Sequence, residues 1–192
     1  MSLTQVLAKK TVFVQALIRK TKNKMIRDLY EKPILLFGCG NILFGDDGFG
    51  PAVVQHLQNH HLLPEDVLAM DVGTSIRDIL FDLALSEKKP KKIIIVDAVD
   101  YPDRRPGEIF EIPVEGIPEK KTADFSLHQF PTVNILRELK DHTGIEITVL
   151  VAQTDTLPET IQPGLSKAME DAVVKACERI LLHITPINKE TH

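Results

Sequence analysis

PILLFGCGNILFGDDGFGP, residues 33–51, sets a short apolar run directly before a turn rich in glycine that carries two adjacent acids, Asp46 and Asp47. An apolar strand, a glycine-rich turn and a helix open many nucleotide-binding α/β domains, because glycines let backbone amides approach a phosphate at the helix N-terminus. The details of this stretch argue against that use. The dinucleotide pattern G-x-G-x-x-G meets Leu43 at its third glycine, where a large side chain is expected to obstruct close packing of helix on strand. No Gly-Lys-Ser/Thr follows to make a phosphate loop, and Asp46 and Asp47 would set negative charge against a phosphate. The turn is expected to serve another chemistry at the same structural position.

Outward from this stretch, apolar strands alternate with amphipathic helices, the pattern of a layered α/β domain with a largely parallel sheet. After the strand PILLFG, the segment PAVVQHLQNH (51–60) places Val53, Val54 and Leu57 on one helical face, with Pro51 suited to the first turn. VLAMDVG (67–73) is a second strand. SIRDILFDLAL (75–85) repeats Ile76, Ile79, Leu80 and Leu83 at helical spacing behind Ser75 as N-cap. KKIIIVDAVD (91–100), with its continuous β-branched run, is expected at a central position buried on both faces. Too few residues separate it from GEIFEIPV (107–114) for a helical crossover, so that next strand is expected to run antiparallel. A polar loop (115–130), a helix TVNILRELKDH (132–142), a strand GIEITVLVAQ (144–153) and a long helix (164–184) complete the domain, with TPINKETH (185–192) as a frayed end. The expected fold is an α/β/α three-layer sandwich around a mostly parallel five-stranded sheet with one antiparallel strand, formed by residues 31–192 as a single domain.

Composition narrows the function. A chain of 192 residues, 43% apolar, can bury one ordinary core. The net charge of −4 is unevenly spread: residues 1–30 hold seven Lys/Arg against the lone Asp28, and the rest is acidic. An acidic body disfavours nucleic acid as a partner. Cys39 and Cys177 are too few for a disulfide framework or a thiolate metal site, which suits a reducing, cytoplasmic interior. No stretch approaches the roughly 18 apolar residues of a membrane span, and VFVQALI (12–18) makes a poor secretory signal. The basic extension 1–30 reads as one or two amphipathic helices with Val6, Val14, Leu17 and Ile18 among the apolar positions. Three uses stay open for it: docking to a partner or membrane surface, packing as an accessory helix, or an upstream extension of a chain whose proper start is Met25.

In open α/β sheets, ligands bind beyond the carboxyl ends of the strands, where loops converge and helix N-termini point inward. At that edge the first strand delivers Gly38, Cys39, Gly40 and Asn41, then Asp46 and Asp47; the second delivers Asp71, and the third Asp97 and Asp100. The polar loop adds Ser126, His128 and Gln129. Carboxylates brought together repel and raise one another's pKa, and a divalent cation resolves the conflict. Two carboxylates and an imidazole suit nickel, zinc, manganese or iron with positions left open for substrate, and the expected ligands are Asp47, Asp97 and His128. Cys39, between glycines and with no histidine near it in sequence, is expected to pack and not to attack. Ser126 and His128, two apart, are poorly placed to form a Ser–His pair.

At these residues the sequence resembles the nickel-iron hydrogenase maturation endopeptidases, which remove a C-terminal extension from the hydrogenase large subunit once nickel has been inserted. The matching pieces occur in order: GCGNILFGDDGFG, MDVGTS, IIIVDAV and SLHQF, together covering residues 34 to about 182. The long form of the first piece looks most similar to the branch serving the deazaflavin-coenzyme-reducing hydrogenase of methanogenic archaea. The resemblance implies metal contacts at Asp47, Asp97 and His128, with Asp standing at position 47 where some members have Glu. It also places a strand-end acid at Asp71, where Val72 replaces a family glycine and leaves the local turn in question.

The implied function is an endopeptidase acting on a hydrogenase large-subunit precursor, with nickel supplied by the precursor as recognition element and no permanent organic cofactor. Asp71 is the expected base or orienting group, and Asn41, Gly40 and neighbouring amides are expected to hold the oxyanion. Two rivals predict different behaviour: a zinc-type metallohydrolase of a small substrate, and a non-enzymatic nickel-sensing assembly module. Oligomeric state is not legible in the sequence.

Overall fold

A computed structural model describes residues 24, 27–60, 62–116 and 133–184. Residues 1–23, 25, 26, 61, 117–132 (with Ser126, His128 and Gln129) and 185–192 lie outside the described residues, and with them the expected N-terminal helices, polar loop and frayed end. Helical backbone at 27–31 brings Leu29 and Tyr30 against the core, so packing begins slightly ahead of residue 31.

The order along the chain is β1 (Ile34–Cys39), a 3₁₀ turn (Gly45–Gly48), α1 (Phe49–Asn59), β2 (Val67–Gly73), α2 (Ile76–Leu85), β3 (Lys92–Val99), β4 (Ile109–Ile112), α3 (Val133–Thr143), β5 (Glu146–Gln153) and α4 (Lys167–Ile184). The sheet order is β2-β1-β3-β5-β4, parallel throughout except for β4 against β5. The β-branched run of β3 is central and buried, as expected. The antiparallel strand differs in its neighbour: β4 pairs with β5, which inserts between it and β3.

Period-two alternation splits each strand between two cores. Leu35, Phe37, Ile93, Ile95, Val149 and Val151 face Leu80 and Leu83 of α2 and Leu136 and Leu139 of α3. Leu36, Ile94, Val96, Leu150 and Ala152 face Val53, Val54 and Leu57 of α1 and Met169, Ala172 and Ala176 of α4. The result is the three-layer sandwich.

Three local expectations change in detail. α1 begins at Phe49, two residues before Pro51, because the 3₁₀ turn runs straight into it, Phe49 N–H donating to the Asp46 carbonyl. Ser75 stands at the N-cap of α2, but its carbonyl does the work, accepting from Asp78 and Ile79 N–H, and its hydroxyl makes no cap bond. Leu43, 43% exposed, obstructs no helix packing. The close approach is made by Gly50 instead: a Cβ there would lie 2.3 Å from the Cys39 carbonyl oxygen and 2.5 Å from that of Val96.

Candidate active site

β1 is the topological switch point, since the chain leaves it to β2 on one side and β3 lies on the other, and such a point opens a crevice at the strands' carboxyl ends. Register places Gly38 of β1 opposite Asp71 of β2 and Val96 of β3, so Asp71, Cys39 and Asp97 lie near the carboxyl ends of three adjacent strands at nearly one level. Asp47 returns to the same place from the loop. Its carboxylate accepts the Asn41 N–H at 2.7 Å, and its carbonyl accepts the same N–H at 3.2 Å. The return requires glycine at position 40, where φ is +125° and a Cβ would sit 1.8 Å from the Asp47 carbonyl oxygen.

Asp47 and Asp97 are 1% and 2% exposed, whereas Asp71 is exposed. Asp97 accepts the N–H of Ala98 at 2.8 Å, and Asp71 accepts that of Gly73 at 2.9 Å. Gly73, at φ +52°, makes the turn that follows β2, and Val72 joins the core, so the missing family glycine leaves the turn intact. Burial pushes the Cys39 thiol well above its ordinary pKa, and the charges of Asp97, Asp71 and Asp47 push it further. Cys39, at the end of β1, thus lies within electrostatic reach of all three carboxylates.

Beside Asp71 a cavity of about 430 Å³ is walled by Ile42, Pro51, Val54 and Leu165, with Gln55 as a polar wall. Among the described residues no three His, Cys, Asp or Glu side chains cluster closely enough to hold a metal ion. Asp71 therefore does not stand in as a third ligand to Asp47 and Asp97, and His128 lies outside the described residues.

A family model described as hydrogenase maturation protease matches residues 51–183. The chain belongs to that family. It is 42% identical over 153 residues, 79% of this chain and 96% of the other, to a putative hydrogenase maturation protease of Methanocaldococcus jannaschii. It is 32% identical to the coenzyme F420 hydrogenase subunit delta of Methanothermobacter thermautotrophicus, covering 79% of this chain and 94% of that one. The solved hydrogenase maturating endopeptidase HybD of Escherichia coli superposes with a TM-score of 0.63 at 29% identity, covering 78% of this chain and 90% of its own.

Within the maturation protease, some expected roles do not survive. Asp46 does not join the crevice: both of its oxygens accept hydrogen bonds from Asp155, Thr156 and Ser166. Asp100 is bound by the Gln153 side-chain amide at 2.8 Å. The amides proposed for an oxyanion are already spent, Gly40 N–H on the Gly73 carbonyl and Asn41 N–H on Asp47. Cys39 behaves as expected, buried and held in the thiol form. Nothing in the local sequence separates Asp46 from Asp47, since the partners of Asp46 lie more than a hundred residues away.

The thiols give the maturation protease a measurable alkaline sensitivity. Burial lifts Cys177 from 9.0 to about 11, and Cys39 is lifted in the same direction. Above about pH 9 the unfolded chain releases thiol protons that the native state keeps, so these groups' contribution is complete below pH 9 and declines as pH rises towards 11. Urea midpoints should fall more steeply from pH 8 to pH 10 in the wild type than in a Cys177→Ala variant. Equal slopes would contradict the assignment.

Proposed function

We propose that this maturation protease removes the C-terminal extension of a nickel-iron hydrogenase large-subunit precursor after nickel insertion, and that the inserted nickel is its recognition element. The observation that carries the reading is the delivery of two nearly inaccessible carboxylates, Asp47 and Asp97, to the switch-point crevice of a hydrogenase maturation protease. Carboxylates in so enclosed a place favour a partner that brings positive charge. Together with His128, which lies outside the described residues, they would make a ligand set for an ion that the precursor itself presents. A precursor without nickel cannot supply that interaction, so discrimination arises from a contact that only the loaded precursor can make.

The protein's own chemistry then falls to Asp71. It is exposed beside the cavity, whereas Asp47 and Asp97 are buried, which suits it to accept the proton of the attacking water while the precursor's nickel polarises the reacting group. The cavity, lined by Ile42, Pro51, Val54 and Leu165, is the place for a side chain of the extension. Incubation with nickel-loaded and nickel-free precursor, followed by mass measurement, tests the reading. Loss of the extension from loaded precursor alone is expected. Cleavage of both forms would point to a metallohydrolase with a metal of its own, and binding without cleavage to a non-enzymatic assembly module.

A further inference from the structure

We propose that Asp46 is a positioning residue: its buried carboxylate clamps the Asp47 loop to the start of α4 and so fixes where the Asp47 carboxylate points. The inference rests on the role given above to Asp47. Asp46 is 1% exposed. One oxygen accepts the Ser166 N–H at 2.6 Å; the other accepts the Asp155 N–H at 2.9 Å, the Thr156 N–H at 3.3 Å and the Ser166 hydroxyl at 3.0 Å. Ser166 immediately precedes α4, and its hydroxyl oxygen also accepts the Met169 N–H at 3.4 Å, which leaves the hydroxyl proton for Asp46. The negative charge lies at the positive end of an 18-residue helix.

A second fastening lies just upstream. Gly45 N–H donates to the Gln162 carbonyl at 2.8 Å, and Gln162 N–H donates to the Leu43 carbonyl at 2.9 Å, so the loop and the segment before α4 pair like a short strip of sheet. Asp47 is the next residue after the clamp, inside the same 3₁₀ turn. The clamp therefore fixes the Asp47 backbone, and from that fixed backbone the Asn41 N–H holds the Asp47 carboxylate at 2.7 Å.

The clamp needs a carboxylate specifically, because its partners are all donors. Asparagine turned either way puts its own N–H₂ against one of them. The adjacent acids thus divide the labour: the first ties down the loop, and the second is presented to the precursor's metal.

The test is a cycle of Asp46→Asn, Asp47→Asn and the double variant, read as affinity for nickel-loaded precursor and as extension removal, with circular dichroism confirming the folded fraction. Asp46→Asn is expected to weaken loaded-precursor binding and slow processing by about 10- to 100-fold while folded, and to add no further weakening in the Asp47→Asn background. A stability role alone would lower the melting temperature and leave binding by the folded fraction unchanged. Wild-type binding and processing by folded Asp46→Asn, or an equal loss in both backgrounds, overturns the proposal while leaving Asp47's role standing. If Asp47→Asn itself binds and cleaves like wild type, the role of Asp47 fails and the proposal with it. Should Asp46→Asn not fold, Ser166→Ala removes only the hydroxyl contact, and a smaller loss that vanishes in the Asp47→Asn background is the corresponding expectation; an unchanged or background-independent rate overturns it.

Discussion

Asp97→Asn is expected to cut extension removal by about 10³-fold and at the same time to raise the melting temperature by a few degrees. The first effect is a loss of about 4 kcal/mol from the reaction's transition state, the scale of removing a charged ligand from a polarising ion. The second follows from desolvation: Asp97 is 2% exposed, and holding a charge in so enclosed a place costs more than holding a neutral amide there. Asparagine keeps the acceptor that receives the Ala98 N–H and removes the charge. Relief of about 1 kcal/mol corresponds to roughly 2–4 °C in a protein of this size. Thermal melts and timed mass spectra on one preparation check both halves. A variant that is less stable and fully active would contradict the account on both counts.

Gly50→Ala is expected to destabilise the fold by about 3 kcal/mol or more, equivalent to roughly 6–12 °C. The sign is diagnostic, because Gly50 stands in the first turn of α1 with a backbone conformation that does not call for glycine, so alanine would otherwise be accepted there. Here the new methyl would meet backbone atoms of β1 and β3, at 2.3 Å from the Cys39 carbonyl oxygen and 2.5 Å from the Cys39 nitrogen. Backbone in the middle of a sheet has no rotamer to change, so α1 must move out, carrying the 3₁₀ turn with it. Processing should fall along with stability, because that turn holds Asp47. A melting temperature equal to or above wild type would show that α1 is not seated on the strands as described.

The layered fold was legible because its signals are local and periodic: the β-branched run of β3, the apolar face of α1 and the four-residue strand β4 with no room for a crossover all announce themselves within ten residues. The strand-end rule singled out Asp47, Asp71 and Asp97, and the charges of all three reach the Cys39 thiol. What it could not see were partners set by distant chain. Asp46 looks the same as Asp47 in sequence, and only the arrival of Ser166 at the start of α4 gives it a different task. The insertion of β5 between β3 and β4 is likewise a non-local choice. The objection to Leu43 used the wrong residue of the right turn, because the helix starts later than the dinucleotide pattern assumes and the close-packing glycine is Gly50. The amides of Gly40 and Asn41 illustrate the same limit from the other side: their position at a strand end suggested oxyanion donors, but the end of β2 takes the first and the returning loop the second.

The most direct test of nickel as the shared recognition element is X-ray absorption at the nickel edge. An Asp71→Asn variant should bind nickel-loaded precursor without cleaving it, and its complex can be compared with the precursor alone. The account predicts additional oxygen and nitrogen neighbours around nickel in the complex, with an oxygen contribution reduced when Asp97→Asn is added. A stable complex whose nickel spectrum is indistinguishable from that of free precursor would contradict it.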